Sequence, residues 1–201
     1  MTTLPEYVPF PSIPRLFRAC TVTEKIDGTN AQVYVSDDLE IVAAGSRNRW
    51  ITVEDDNYGF ARWVAEHRDE LRKLGPGHHA GEWWGSGIQR GYGLKERRFS
   101  LFNVSRWHEV GAAPYAAEPV DPRQPAKWSV ASPACCNVVP VLYRGDFDLR
   151  KIDGELDELT LNGSKAAPGY HAPEGLVVYH EAAGVLFKAT LGGDGHKGAK
   201  R

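Results

Sequence analysis

The chain has 201 residues and a mass of 22.2 kDa, a length that fits one domain better than several. Its hydrophobic content of 42% and aromatic content of 10% exclude a disordered chain. The 24 Lys and Arg residues against 26 Asp and Glu give a formal net charge of −2. A polyanionic partner must therefore be held by a local basic patch, because the surface as a whole is not basic.

Three sequence features bear on the cellular setting. No run of about 18 apolar residues is present to cross a membrane, and the first residues lack the charged and apolar segments of a signal peptide. The cysteines are odd in number, and the adjacent Cys135 and Cys136 are poorly placed to bridge each other. We expect a monomeric protein of the reducing cytoplasm with no membrane partner.

Most of the predicted elements are short strands. Segments of β-rich composition bounded by turn residues predict strands at Thr21–Ile26, Ala31–Ser36, Leu39–Ser46, 78–88, 99–107, Val138–Tyr143, 174–181 and 185–191. The turn signal Asp-Gly-Thr-Asn between the first two strands predicts a hairpin, and the last two strands predict another. Apolar residues at steps of three and four predict helices over Tyr58–Leu74 and Lys151–Leu161.

Three stretches are not expected to belong to the core. Prolines predict an extended arm over residues 1–20, the Pro- and Ala-rich residues 111–133 predict a surface excursion, and residues 191–201 predict a flexible tail. Neighbouring strands with few intervening helices indicate an α+β fold of mainly antiparallel sheet. We expect one domain over residues 1–201.

Three segments carry chemically useful residues, and each has an ordinary structural alternative. Lys25, two residues before Asp27, suits a nucleophilic amine held in a cleft or a plain solvated lysine. The glycine-rich stretch 85–93 suits a phosphate cradle or a wide hairpin loop. Glu174 and Lys188 would meet at one end of the last hairpin, as a metal–phosphate site or as a cross-strand ion pair.

Five segments together resemble, in order, the motifs of covalent nucleotidyltransferases, the superfamily of ATP-dependent RNA ligases, DNA ligases and mRNA capping enzymes. These are TEKIDGTN at 23–30, GSRNR at 45–49, GEWWGSGIQ with FSLFNV at 81–89 and 99–104, EGLVVY at 174–179, and VLFKAT at 185–190. The GIQ-bearing segment is similar to RNA ligases rather than DNA ligases. The resemblance implies an adenylation domain of antiparallel sheets with flanking helices and a nucleotide cleft between the sheets.

The resemblance also implies an ATP-dependent RNA ligase that uses Mg²⁺ or Mn²⁺ and acts in three steps. A lysine attacks the α-phosphate of ATP and becomes lysyl-AMP, the AMP moves to an RNA 5′-phosphate, and a 3′-OH displaces it. Nicked duplex, RNA/DNA hybrid, single strand and tRNA-like ends remain open as substrates. Two alternatives also remain: an adenylyltransferase that caps 5′-phosphates or modifies another acceptor without efficient sealing, and an inactive nucleic-acid-binding module.

Catalytic roles carry over from the resemblance to four residues. Lys25 corresponds to the nucleophile, and Asp27 to the residue that orients it or assists the departing AMP. Glu174 corresponds to the carboxylate that places the metal ion, and Lys188 to the lysine that holds the α-phosphate.

Binding roles carry over in the same way. For the nucleotide, the resemblance implies the main chain of Glu24 at the adenine, a tight turn at Gly28, Arg47 and Glu82 at the ribose, and Phe102 stacked on the adenine. For the nucleic acid, it implies Asn30 at the strand ends and Arg47 at the 5′-phosphate. Arg49 and Arg90 complete the predicted nucleic-acid contacts, and Arg90 begins the densest basic run, which ends at Arg98.

The chain departs from the family pattern at two positions. Tyr179 and Thr190 stand where relatives have phosphate-facing lysines, and we expect another cation to substitute. The candidates are Arg49, Arg90, Lys165 and Lys197. With thirteen residues after Lys188, we also expect no OB-fold or helical domain to follow.

Overall fold

The computed structural model describes residues 5–117 and 127–192, and most of its strands lie in two sheets. The strands are β1 Ala19–Lys25, β2 Thr29–Val35, β3 Val42–Ser46, β4 Trp50–Ile51, β5 Gly77–Gly85, β6 Arg97–Leu101, β7 Trp107–His108, β8 Ala116–Ala117, β9 Lys127–Trp128, β10 Val130–Ala131, β11 Asn137–Val138, β12 Val141–Asp146, β13 Gly175–His180 and β14 Val185–Thr190. The helices are α1 Phe60–Glu66, α2 Arg68–Leu71 and α3 Leu149–Asn162. Within the described ranges, no helix is long and apolar enough to cross a membrane.

The first sheet has four antiparallel strands in the order β12-β1-β13-β14, and α3 covers one of its faces. Helix α3 begins at Asp148, whose carboxylate accepts a hydrogen bond from the N–H of Arg150 at 2.9 Å. Ile152 and Leu159, seven residues apart, lie on the same side of the helix and are buried against the even-numbered side chains of β1 and β13. The odd-numbered positions of these strands, which include Lys25, therefore face away from α3.

The second sheet has six strands in the order β11-β6-β5-β2-β3-β4, with antiparallel pairing except between β6 and β11. One face carries the main core, in which Val33, Trp83 and Phe99 pack against Phe60 and Val64 of α1. The mainly antiparallel α+β architecture agrees with the sequence expectation.

The predicted hairpin between the first two strands is wrong. Strand β1 pairs with β12 and β13, whereas β2 pairs with β3 and β5, so consecutive strands belong to different sheets. The chain crosses between sheets at Gly28, where a Cβ atom would lie 2.5 Å from the carbonyl oxygen of Trp83. A turn signal fixes a local change of direction and not the partner of the strand that follows, so the sequence pattern did not distinguish the two arrangements.

Other differences are local. The strand predicted from residue 39 begins at Val42, because Leu39 has a φ of 63° in a turn. The predicted Tyr58–Leu74 helix is divided at His67 into α1 and α2, followed by a 3₁₀ turn over Arg72–Leu74. Strand β5 ends at Gly85 instead of residue 88. The second predicted helix and the final hairpin, β13 with β14, are confirmed.

The expected peripheral stretches are only partly described. Residues 5–15 contain no helix or strand. The 111–133 stretch contributes the short strands β8, β9 and β10, and its residues 118–126 lie outside the described residues. Residues 193–201 of the predicted tail, with Lys197 among them, also lie outside, as do residues 1–4.

Leu159 tests the packing of α3 on the first sheet. Its side chain is fully buried, at 0% exposure, whereas Leu161 in the same helix is 75% exposed. We expect Leu159→Ala to lower the free energy of unfolding by about 2–5 kcal/mol, because it leaves a cavity in the core. Denaturant unfolding measures this, and the matched Leu161→Ala should change it by less than about 0.5 kcal/mol. Equal effects of the two substitutions would contradict this packing.

Candidate active site

Lys25 and Glu174 form the centre of the site. Lys25 is the last residue of β1 and lies opposite Gly175, the first residue of β13. Its Nζ lies 2.6 Å from Oε2 of Glu174, and the two side chains are 25% and 18% exposed. The pair is therefore shielded on most sides but open to the solvent in the cleft where β1 leaves for the second sheet.

Glu82 is the second carboxylate near Lys25. It is buried on β5, where Oε1 accepts the N–H of Gly28 at 3.0 Å and Oε2 accepts Nδ2 of Asn30 at 2.9 Å. Burial raises the pKa of Glu82 from 4.5 to about 7, against the lowering effects of these hydrogen bonds and of Lys25. Glu82 thus joins β5 to Gly28 of the crossover and to Asn30 at the start of β2, and its charge depends on pH near neutrality.

Asp27 is held by two residues of the glycine-rich loop. The Tyr92 hydroxyl accepts the N–H of Asp27 at 2.8 Å, and Nε of Arg90 donates to Oδ2 of Asp27 at 2.9 Å. Nη1 of Arg90 also donates to the carbonyls of Ala172 and Pro173, at 2.8 and 3.0 Å. One guanidinium therefore connects the crossover, the glycine-rich loop and the segment that leads to Glu174.

Glu24 points away from Lys25 and anchors a loop. Its carboxylate accepts hydrogen bonds from the Ser164 hydroxyl at 2.5 Å and from the N–H groups of Lys165 and Ala166 at 2.8 and 2.9 Å. Burial raises its pKa, although these hydrogen bonds act in the opposite direction. The side chain of Glu24 is thus a structural anchor of the 164–166 loop, and its N–H donates to the Pro140 carbonyl at 2.9 Å.

Lys188 shares a face with Lys25 but does not touch it. Lys188 pairs with Val177 of β13, and Val177 pairs with Thr23 of β1. Lys188 is therefore two strands away from β1 and level with Thr23, two residues before Lys25. Its side chain is exposed and makes no ion pair with any described residue. The two departures from the family pattern lie on the same face, since Tyr179 is exposed on β13 and Thr190 lies opposite Gly175.

The remaining predicted residues lie beside the second sheet, with Arg47 at the Asn30 end and Phe102 level with Ala80. Arg47 is exposed in the turn between β3 and β4, and Arg49 in that turn is paired with Asp55 at 2.5 Å. Phe102, 40% exposed, directly follows β6, and its N–H donates to the Ala80 carbonyl at 3.0 Å. The register places Phe102 on the same face of the sheet as Glu82. Its stacking on the adenine stays a prediction.

The substitute cations proposed from the sequence differ in position. Arg90 lies beside Asp27, whereas Arg49 is bound to Asp55 and Lys165 lies 3.9 Å from Glu155. Three of these candidate cations lie in the described part of the chain. Among those three, Arg90 is the residue bonded to a predicted catalytic residue, Asp27. Its predicted contact with nucleic acid stays a prediction.

Sequence reasoning missed Tyr92 and the anchoring role of the Glu24 side chain. Tyr92 is buried between Trp84 and Tyr170, with ring centroids 5.0 and 4.6 Å away, and burial raises the pKa of its hydroxyl. An aromatic residue flanked by glycines was the available signal, because the φ values of 65° and 68° at Gly91 and Gly93 suit glycine. The Ser164 contact spans 140 positions, and no local pattern predicts it.

A cavity of about 430 Å³ adjoins these residues. It is lined by Trp84, Ser100, Val139, Arg144 and Lys165, among others, and not by Lys25, Glu82 or Glu174. Trp84 packs against Tyr92 and the N–H of Lys165 donates to Glu24, so this cavity borders the cleft at the sheet crossover.

Comparison with known proteins identifies the class. The family model for RNA ligase matches residues 18–190, while no curated protein matches the chain. Among solved structures, an apo aspartate-to-alanine variant of Naegleria gruberi RNA ligase has a TM-score of 0.54 at 18% identity, covering 87% of this chain and 50% of that one. A variant of that ligase with ATP and Mn has a TM-score of 0.51 at 19% identity, covering 86% and 49%.

At these identities the structural similarity concerns the fold, and the chain spans about half the length of the solved proteins that it matches. The family model, in contrast, extends over most of the chain and includes every segment on which the resemblance rests. The chain belongs to the RNA ligase family.

Glu82 gives the site a pH dependence that can be measured. A carboxylate whose pKa is higher in the folded than in the unfolded protein adds to the free energy of unfolding at pH values below its ordinary pKa. This contribution is lost as the pH rises through the pKa of the folded state. For a pKa of about 7 against 4.5, the loss between these pH values is at most about 3 kcal/mol. We expect Glu82→Gln, which does not titrate there, to lack this loss, so its stability relative to the wild type should increase from pH 5 to pH 8.

Denaturant unfolding at four pH values between 5 and 8 checks this expectation. The exposed loop residue Glu54 supplies the control, since Glu54→Gln should follow the wild-type pH profile. Parallel profiles for Glu82→Gln and the wild type would show that Glu82 titrates normally.

Proposed function

We propose that the chain is an ATP-dependent RNA ligase, built on a single nucleotidyltransferase domain, that joins RNA 5′-phosphate and 3′-OH ends through a lysyl-AMP on Lys25. The observation that carries the proposal is the position of Lys25 at the cleft between two sheets, 2.6 Å from Glu174 and beside the buried Glu82. A solvated lysine would not be enclosed by two carboxylates from distant segments, so this geometry supports the nucleophile over the ordinary alternative.

In the first step, Lys25 must present a neutral amine, because an ammonium has no lone pair. Glu174 is in hydrogen-bond contact with Nζ and can accept the proton that Lys25 loses. The Nζ–phosphorus bond then forms at the α-phosphate, while the bond from that phosphorus to the oxygen bridging to the β-phosphate breaks and pyrophosphate departs. Lys188, on the same face of the sheet, is suited to bind the charged α-phosphate.

The residues present fit a divalent cation of the Mg²⁺ type. In the described residues no cluster of three or more His, Cys, Asp or Glu side chains could form a complete metal cage. Mg²⁺ and Mn²⁺ bound with nucleotides need only one or two carboxylates, since phosphate oxygens and waters supply the other ligands. Glu174, partly open to the cleft, is the carboxylate suited to this role, and the bound ion would neutralise phosphate charge. The Naegleria gruberi variant solved with ATP and Mn supports both cofactors by analogy.

In the later steps, an RNA 5′-phosphate oxygen attacks lysyl-AMP and releases Lys25, and a 3′-OH then attacks the adenylylated end and expels AMP. Asp27 lies near enough to Lys25 in sequence to assist the release, and Arg90 fixes the orientation of its carboxylate. Asn30 and the exposed Arg47 lie at the same end of the second sheet, where they could bind the two strand ends.

Covalent labelling tests the proposal. Incubation with α-labelled ATP and Mg²⁺ or Mn²⁺ should attach label to the wild type, and Lys25→Ala should lower labelling at least about 100-fold, because Lys25 supplies the amine in contact with Glu174. Lys151→Ala, which changes an exposed lysine of α3, is the matched control and should label like the wild type. A wild type that takes up no label, or a label that survives Lys25→Ala, would refute the proposal.

The second candidate function is adenylyl transfer without efficient sealing, and Tyr179 and Thr190 favour it. These residues replace two phosphate-facing cations of the family, and loss of a charge-assisted hydrogen bond costs about 1.5–3 kcal/mol. If Arg90 substitutes for them, 5′-phosphorylated RNA ends should give joined product at a rate comparable to lysyl-AMP formation. Accumulation of 5′-adenylylated RNA with normal lysyl-AMP formation, read on a gel, would instead establish the second candidate.

A further inference from the structure

One face of the second sheet is covered at Glu82, Trp84 and Ser100 but open over β2 to β4 and the start of β5, and we call it the open face. Helices α1 and α2 cover the face that carries Val33 and Trp83, so the alternate residues point to the other side. The register places the following side chains on this open face: Asn30, Gln32 and Tyr34 of β2, Trp50 of β4, and His78, Ala80 and Glu82 of β5. The open face is therefore continuous with the crossover at Asn30 and Glu82.

Three aromatic rings form a cluster on this face. Tyr34 lies 5.9 Å from Trp50 and 4.9 Å from His78, and the rings of Trp50 and His78 are stacked at 5.9 Å. We call Tyr34, Trp50 and His78 the aromatic cluster. Nδ1 of His78 lies 3.0 Å from Oε1 of Gln32, which orients the imidazole ring.

The aromatic cluster is open to solvent. Trp50 is 52% exposed and His78 is also exposed, although indole surface is usually buried when a core is available. Single exposed apolar residues need no explanation, but three adjacent rings on a flat sheet face are typical of a binding surface. If these rings served only to stabilise the fold, they would be buried under another element.

The charges differ between the two ends of the aromatic cluster: the acidic turn 37–40 follows the Tyr34 end, whereas the end next to Trp50 favours a polyanion. At the strand positions of the open face, within the described residues, Glu82 is the one carboxylate. Arg47 and Arg49 lie in the turn that leads directly into Trp50. The nearby Asp55 is neutralised by Arg49, and Asp56 accepts the N–H groups of Ala61 and Arg62 at the start of α1.

The aromatic cluster is also close to the reacting centre. Trp50, Gly45, Gln32 and Ala80 form one row across the sheet, next to the row that contains Asn30 and Glu82. Adjacent rows on one face are two residues apart, or roughly 7 Å. A strand whose end lies at Asn30 and that runs along this face reaches the aromatic cluster within a few nucleotides.

We propose that the aromatic cluster binds unpaired bases of the RNA strand next to the ends to be joined. Every base presents a π-face, so exposed aromatic rings on an open sheet bind single strands by stacking, while the neighbouring Arg47 binds a phosphate. This inference rests on the proposed ligase function and adds that the substrate is unpaired near the ligation site. Bases in a duplex are already stacked on one another and cannot use the cluster in this way.

Equilibrium binding of a fluorescein-labelled single-stranded RNA of about 12 nucleotides tests the inference. We expect Trp50→Ala to raise the Kd about 5- to 100-fold, and Trp50→Phe to restore most of the affinity. The matched control is Trp128→Ala, which removes a 65% exposed tryptophan from β9, outside the open face. It should leave the Kd within twofold of the wild type.

Two readouts separate stacking from a general loss of structure. The slope of log Kd against log salt should be the same for Trp50→Ala and the wild type, because no phosphate contact is removed. Binding of a blunt RNA duplex of the same sequence should change less than twofold. If Trp50→Ala does not fold, two other single variants provide the same comparison. His78→Ala is then the variant that loses a ring of the aromatic cluster, and Trp50→Phe is the variant that keeps one.

Several outcomes would overturn the inference. These are a single-strand Kd within twofold of the wild type for Trp50→Ala, an equal loss for Trp128→Ala, or an equal loss for duplex and single strand. If the wild type binds RNA and forms lysyl-AMP while Trp50→Ala binds normally, this inference alone fails. If the wild type takes up no label from ATP, the proposed function itself fails.

Discussion

The crossover at Gly28 is the constraint on which the site depends. Strand β1 ends at Lys25 in one sheet, and β2 begins at Thr29 in another, so the three intervening residues must connect two cores. Gly28 lies against Trp83 with no room for a side chain, and its N–H donates to Glu82. The cleft between the sheets exists because the chain changes partners here, and Lys25 is placed at its mouth for the same reason.

Each charged side chain around this crossover has its own partner. Glu174 pairs with Lys25, Arg90 pairs with Asp27, and Glu82 accepts from the main chain at Gly28 and the side chain of Asn30. Each contact joins segments that lie far apart in sequence, so the same interactions stabilise the fold and orient the reactive groups. A buried carboxylate such as Glu82 is costly unless its acceptors are used, which links stability to the geometry of the site.

The two faces of the second sheet have different roles. One face, packed on α1 and α2, provides the hydrophobic core, while the other leaves the aromatic cluster and Phe102 exposed beside the crossover. Antiparallel sheets permit this division, because alternate residues point to opposite faces and only one face must be buried. Two neighbouring histidines illustrate it, since His79 is buried in the core and His78 belongs to the aromatic cluster.

The sequence by itself determined the α+β class, most strands, the α3 helix and the segments that identify the family, since these depend on local composition, periodicity and motif order. It also indicated Lys25, Glu174 and Glu82. Only the tertiary structure decided that β1 and β2 lie in different sheets, that Arg90 and Tyr92 hold Asp27, and that Glu24 anchors Ser164. Strand pairing and buried hydrogen bonds join residues tens of positions apart, and local patterns favour several such pairings about equally.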